Sequence, residues 1–285
     1  MNFNLISYFK EKISYNPRLL LSIPYIIIAI IFIILPTVLI FVTAISKVDV
    51  DQNQESFNQW YVVSQSNTWW IMWRSVKLGF IASFICLIIA VPYAFFVSTS
   101  KSKFFQIYGI SLIVSPLIIF TISKLLSLRG LFTVMLGEDT ITSEWFMAIG
   151  LVFLNLPFMI IPLYTVFRDM PKNIIEASQD LGYNKFQTLI KVVLPYSLKA
   201  MFTGIGMVFL MAASSVAISD KLLPNGSQNQ MIGNLINYFS NPTSKFDIAT
   251  ASTLVVITTI ILIGAYSLTF LVPYLITKLR RMKNV

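Results

Sequence analysis

Residues 145–167 read WFMAIGLVFLNLPFMIIPLYTVF, and residues 168–199 follow as RDMPKNIIEASQDLGYNKFQTLIKVVLPYSLK. The first stretch holds no Asp, Glu, Lys or Arg, and its length matches the roughly 30 Å of hydrocarbon in a bilayer at about 1.5 Å per helical residue. The second is polar and has a local design. Pro171 is suited to open a helix, Asn173 to cap it and Gly182 to close it in a left-handed turn. Asn184 with Gln187 three residues on resembles a capping box for a second short helix. On the first helix Ile174, Ala177, Ser178 and Leu181 share a face at helical spacing, with Glu176 and Asp180 beside it. The residues alone read equally well as two helices packed on the protein's own rim or as a surface for a partner.

Five further apolar stretches flank this pair, at 19–46, 76–99, 104–126, 200–219 and 248–278, the fifth of the six having the least sharp bounds. With 56% apolar and 12% charged residues and a mean hydropathy of +0.76, the expected fold is an all-α integral membrane protein of six transmembrane helices. The domain organisation follows: a 1–18 amino-terminal segment, a 19–278 six-helix transmembrane domain interrupted by the 168–199 loop, and a 279–285 tail. If the amino terminus is cytoplasmic, 14 of the 21 Lys and Arg fall on the inner side. Both termini are therefore expected to be cytoplasmic. Trp60, Trp69, Trp70, Trp73 and Trp145 all fall in or beside outward segments, as interfacial anchors do.

The chain has no His and one Cys, Cys86. A Ser-His-Asp triad, an HExxH zinc site and a disulfide within the chain are excluded, and no GxxxxGK[ST] loop occurs. No catalytic centre and no cofactor or metal of its own are expected. The net charge of +9 is mainly a topology signal, so nucleic acid is not an expected partner.

Glu176-Ala177-Ser178, three residues, Gly182, nine residues and Val192-Val193-Leu194-Pro195 resemble the EAA motif of ABC importer permeases. Ser178 and Val192 replace its alanine and isoleucine. Segments 82–96 (ASFICLIIAVPYAFF), 155–164 (NLPFMIIPLY), 216–220 (VAISD) and 231–236 (MIGNLI) are similar to the spermidine/putrescine permeases of the PotB type. The segment 117–120 (LIIF) departs from them, since those relatives are more aromatic and polar there. The resemblance implies a type I importer permease of a bacterial plasma membrane whose 168–199 loop is a coupling helix. Glu176, Ala177, Ser178, Asp180, Leu181, Gly182, Leu194 and Pro195 would engage an ATPase subunit. It further implies two ATPase subunits that bind ATP and Mg, a second homologous permease, and an extracytoplasmic polyamine-binding protein. Alternating access would then move solute.

A polyamine path calls for carboxylates and aromatic faces. Asp220, at the outer end of the fifth span, is the carboxylate candidate, and an ion pair with Lys221 or simple solvation at the membrane edge is its plainer reading. Tyr93, Phe95, Phe96, Phe120 and Tyr164 are the aromatic candidates, although a lipid-facing or helix-packing role is the plainer reading of each. Lys124 and Arg129 are expected to snorkel to headgroups. Rival readings are another ABC specificity, such as thiamine, iron or an anion, and a stand-alone secondary transporter. The first would, for an anion, want basic residues that the spans largely lack. The second would show internal repeats, and none is seen.

Overall fold

Helix α1 (Pro17–Ala29) passes through a single π-helical turn, Ile30–Ile34, into α2 (Leu35–Ile45). In this computed structural model, which describes residues 17–48, 57–137, 141, 143–223 and 230–283, every regular element among the described residues is helical. A short α3 (Tyr61–Ser64) leads into α4 (Ser66–Ser98), followed by α5 (Lys103–Ile118), α6 (Thr121–Leu136) and α7 (Glu144–Arg168). Next come α8 (Lys172–Asp180), α9 (Lys185–Thr188), a second π turn at Leu189–Val193 and α10 (Leu194–Ala213). A third π turn, Ile218–Leu222, precedes α11 (Ile232–Tyr238) and α12 (Lys245–Lys283). Five of these helical stretches are long and apolar enough to cross a membrane, and the bent α5–α6 pair makes six if it is counted as one span.

Two of the π turns share a cause. Leu35 N–H reaches the Ile30 carbonyl and Leu194 N–H reaches the Leu189 carbonyl, five residues back in each case. Pro36 and Pro195 follow one residue later. Proline has no N–H to offer the carbonyl four residues before it and its ring crowds that carbonyl, so the turn ahead of it widens.

Helices α4, α7 and α10 pack on one another and form the centre. Lipid tails are as apolar as leucine, so what holds such helices together is close packing by small residues and a few polar contacts. Accordingly Ala82, Ala90, Ala94, Ala212 and Ala213 are fully buried. The core has two main halves. One gathers Phe95, Met159, Leu163, Phe167, Leu189 and Val193 near α8 and α9, and the other gathers Leu125, Phe146, Leu151, Ile218 and Leu222 at the opposite end. Around this centre α12 packs on α10, and α2 packs chiefly on α12. The Gln59 amide donates to the Ala44 carbonyl, and the Thr253 hydroxyl, 2.7 Å from the Thr250 carbonyl of its own helix, also faces the Gln59 carbonyl at 3.2 Å, so that Gln59 bridges the end of α2 and α12. The rest of the first span stays uncovered, with Phe32 72% exposed.

Two expectations are corrected. The stretch 104–126 is not one straight span, because the chain turns by 100° between α5 and α6. Ile119 and Phe120 are extended there. Pro116 withholds the N–H that would bond to the Leu112 carbonyl, which instead accepts the Ser115 hydroxyl at 3.4 Å. The fifth helix is shifted from 200–219, for it runs without interruption from Lys185 to Ala213 and ends six residues earlier. Arg129 Nη1 donates to the Leu223 carbonyl at 3.3 Å, which holds α6 to the end of the third π turn.

Candidate functional site

Helix α8 ends in a paired set of backbone bonds. Gly182 N–H donates to the Gln179 carbonyl at 2.8 Å and Tyr183 N–H to the Ser178 carbonyl at 3.1 Å, with Gly182 at φ +81°. This is the Schellman arrangement, and it requires a left-handed residue at that position. The next helix starts two residues later with the capping box expected from its sequence. The Asn184 side chain accepts Gln187 N–H at 2.8 Å, and the Gln187 side chain accepts Asn184 N–H at 3.0 Å. The result is a tight hairpin joined directly to α10. Lys191 lies 4.7 Å from the centre of the Tyr183 ring, a cation–π contact that braces the turn against the π segment.

Helix α8 does not start as its sequence implies. Pro171 occupies the cap position without a side-chain bond, and Asn173 lies within the first turn as the second helical residue. The face expected to be available is also divided. Ile174 and Ile175 pack against the inner core and Ser178 is only 3% exposed, so these turn inward. Ser178 is therefore corrected from an outward contact to an internal one. Glu176, Ala177, Asp180 and Gly182 are exposed, and Leu181 is 75% exposed with Phe186 at 65% beside it. Leu194 is half-buried against the core while Pro195 is exposed at the start of α10. Leu181, Phe186 and the carboxylates Glu176 and Asp180 are thus all exposed at this end of the molecule.

The six residues considered for a solute path are not brought together. Phe95 is 2% exposed and packs edge-on to Phe167 at 6.4 Å, so it is a core residue. Tyr93 donates its hydroxyl to the Gly109 carbonyl at 2.9 Å and fastens α4 to α5. Tyr164 packs on the same half of the core, and Phe96 is half exposed beside Phe95. At the other end Phe120 stands 84% exposed at the α5–α6 bend. Asp220 sits in the Ile218–Leu222 turn, 45% exposed, with its carboxylate 2.9 Å from Lys221 Nζ, which is the ion pair its plainer reading predicted.

Sequence reading missed a charged cluster at that same end. Glu144, in the first turn of α7, accepts Arg74 Nε at 3.1 Å and also pairs with Lys77, both from α4. Arg74 Nη1 reaches the Gln230 carbonyl at 3.3 Å, and the neighbouring Ser75 hydroxyl accepts Ile232 N–H at 2.8 Å, anchoring α11. Arg74 and Lys77, three residues apart on one helix, and an acid opening another were the available signal. A shallow aromatic cleft lined by Ser66, Trp69, Trp70 and Trp73 lies near the start of α4.

Known proteins match this arrangement. The family described as binding-protein-dependent transport system inner membrane component matches residues 78–281. A spermidine/putrescine transport system permease protein PotB homolog from Mycoplasma genitalium is 30% identical over 229 residues, covering 78% of this chain and 79% of the relative. The corresponding Mycoplasma pneumoniae protein is 34% identical over 197 residues, 66% of this chain and 68% of that one. The PotB permease of Escherichia coli is 31% identical over 202 residues, 66% of this chain and 73% of its own length. Among solved structures, a bacterial ABC transporter involved in the import of alginate superposes with a TM-score of 0.63 at 17% identity, covering 92% of this chain and 98% of that one. The MetNI methionine ABC transporter gives 0.56 at 15% identity, over 73% of this chain and 97% of that one. These two structures share the fold. With the family match running through the hairpin and all but the first span, the chain belongs to the inner membrane components of binding-protein-dependent transport systems and is a permease subunit of an ABC importer.

Proposed function

We propose that this permease imports polyamines of the spermidine and putrescine class. The observation that carries the reading is the 30% identity to a PotB homolog over 78% of the chain. The exposed hairpin, with apolar Leu181 and Phe186 and the carboxylates Glu176 and Asp180 on its surface, supports a docking role toward an ATPase subunit. That partner, present in two copies, would bind ATP with Mg, and its closure would drive α8. A second homologous permease would complete the path, and an extracytoplasmic binding protein would deliver the solute. The 14 to 7 distribution of Lys and Arg supports a bacterial plasma-membrane orientation with the hairpin and both termini in the cytoplasm.

Orientation is tested by thiol labelling in a Cys86→Ala background. Cysteine introduced at Asn241 is expected to react with an impermeant reagent added to intact cells, and cysteine introduced at Lys185 only after lysis. The opposite pattern would invert the topology.

Substrate class is tested at Asp220. A carboxylate as exposed as Asp220 attracts a passing ammonium group by about 1 kcal/mol or less, so Asp220→Asn is expected to weaken uptake by roughly fivefold at most. The loss should be larger for trivalent spermidine than for divalent putrescine, because more positive charge passes the same carboxylate. Uptake of both labelled polyamines by the reconstituted complex reads this out. Equal, undiminished uptake by the variant would remove Asp220 from the path, and failure of the wild type to move either would assign the importer to another solute.

A further inference from the structure

Inside the hairpin, Ser178 of α8 and Thr188 at the end of α9 are 3% and 0% exposed, and their hydroxyl oxygens are 2.9 Å apart. Each hydroxyl has one proton to give and lone pairs to receive. The Ser178 proton goes to the Ile175 carbonyl at 2.7 Å. The proton between the two oxygens therefore belongs to Thr188. Donation runs from Thr188 to Ser178 and on to the Ile175 carbonyl, crossing from one helix to the other. Within its own helix the Asn184 carbonyl is the alternative acceptor for Thr188, and it already receives the Thr188 N–H at 2.8 Å. Directly after Thr188 the chain continues as helix through Leu189–Val193 to Ala213.

We propose that Ser178 and Thr188 are positioning residues, a directed hydrogen-bond clasp that fixes α8 on α9 so that a push on the hairpin is passed into α10. The clasp itself is independent of partner identity; its consequence rests on the docking role assigned to the hairpin. Direction makes the two positions unequal. Ser178→Ala strands the buried Thr188 donor, whereas Thr188→Val leaves only an acceptor lone pair of Ser178 unused. In the double variant neither oxygen remains, so Thr188→Val should suppress the effect of Ser178→Ala.

The test has two arms. Hydrogen exchange of the amides at 176–190 in the purified permease is expected to rise about fivefold in Ser178→Ala, less than twofold in Thr188→Val, and no further than that in the double variant. Unchanged exchange in Ser178→Ala, or equal and additive effects of the two changes, would overturn the clasp. In the complex assembled with its ATPase subunits, second permease and binding protein, stimulation of ATP hydrolysis by the binding protein is measured at equal assembly. Ser178→Ala is expected to lower this stimulation about threefold, with restoration in the double variant. Altered exchange with full stimulation would overturn the positioning role. Glu176→Lys, on the exposed face, separates the underlying reading: if it changes neither ATPase assembly nor hydrolysis, the docking role fails while the exchange arm still decides the clasp.

Discussion

Gly182→Val is expected to reduce solute uptake by the assembled importer at least tenfold without lowering the amount of permease in the membrane. Gly182 holds φ at +81°, and a Cβ built there meets nothing within 4 Å. The cost is therefore one of backbone conformation and not of crowding. For a β-branched residue in the left-handed region it is about 2 kcal/mol, enough to shift the turn population roughly thirtyfold. Relieving that strain breaks the Gly182 and Tyr183 bonds that close α8 and re-aims Leu181, the most exposed apolar residue of the tip. Asparagine tolerates this region, so Gly182→Asn should retain uptake within about twofold. Gly137 has the same φ and equally open space at the end of α6, and Gly137→Val should leave ATPase assembly unchanged. Uptake by Gly182→Val equal to wild type would show that the hairpin geometry is not what the importer uses.

Gly233→Ala is expected to destabilise the protein itself. A Cβ at Gly233 would lie 2.7 Å from the Ser214 carbonyl oxygen and 2.9 Å from that of Ser215. Both are main-chain atoms at the end of α10, so no side-chain rotation relieves the contact. Displacing α11 also strains the bond from Ile232 N–H to the buried Ser75 hydroxyl. Overpacking of this kind costs about 1–3 kcal/mol, which for a chain of this size corresponds to a fall in Tm of about 5 °C. Thermal unfolding in detergent measures it, with Gly264→Ala as the control. That glycine lies within α12 with nothing near its Cβ, and alanine there should leave Tm unchanged or raise it. A Gly233→Ala protein as stable as the wild type would mean that the start of α11 does not abut the Ser214 and Ser215 carbonyls.

Where the sequence reading succeeded, it rested on signals that are themselves local. Runs such as 145–167 reveal a span because apolarity over about 20 residues has few other uses, and the Gly182 turn and the Asn184–Gln187 box are set by residues that act within four positions of themselves. The 100° bend escaped because hydropathy measures how apolar 104–126 is and carries no direction. The register of the fifth helix escaped for a related reason: Lys191 and Lys199 set the short helix opened by Asn184 apart from the apolar run that follows, although Lys is a good helix former and the two are continuous. Helical spacing placed Ile174 and Ser178 on one face correctly but could not say which way that face pointed, since small residues suit a tight internal contact and a docking surface alike. Phe95 and Tyr93 were candidates for a cation path on residue type alone, and the structure uses one to fill the core and the other to fasten two helices. The Glu144 cluster needed three-dimensional contact between residues some 70 positions apart, which periodicity within one helix cannot supply.

The most direct measurement is accumulation of labelled spermidine in proteoliposomes containing this permease with its ATPase subunits and second permease, the binding protein being supplied on the side opposite the hairpin. The account predicts accumulation that requires ATP, the ATPase subunits and the binding protein together. Accumulation by the permease alone under an ion gradient, with ATP and the ATPase subunits omitted, would contradict it.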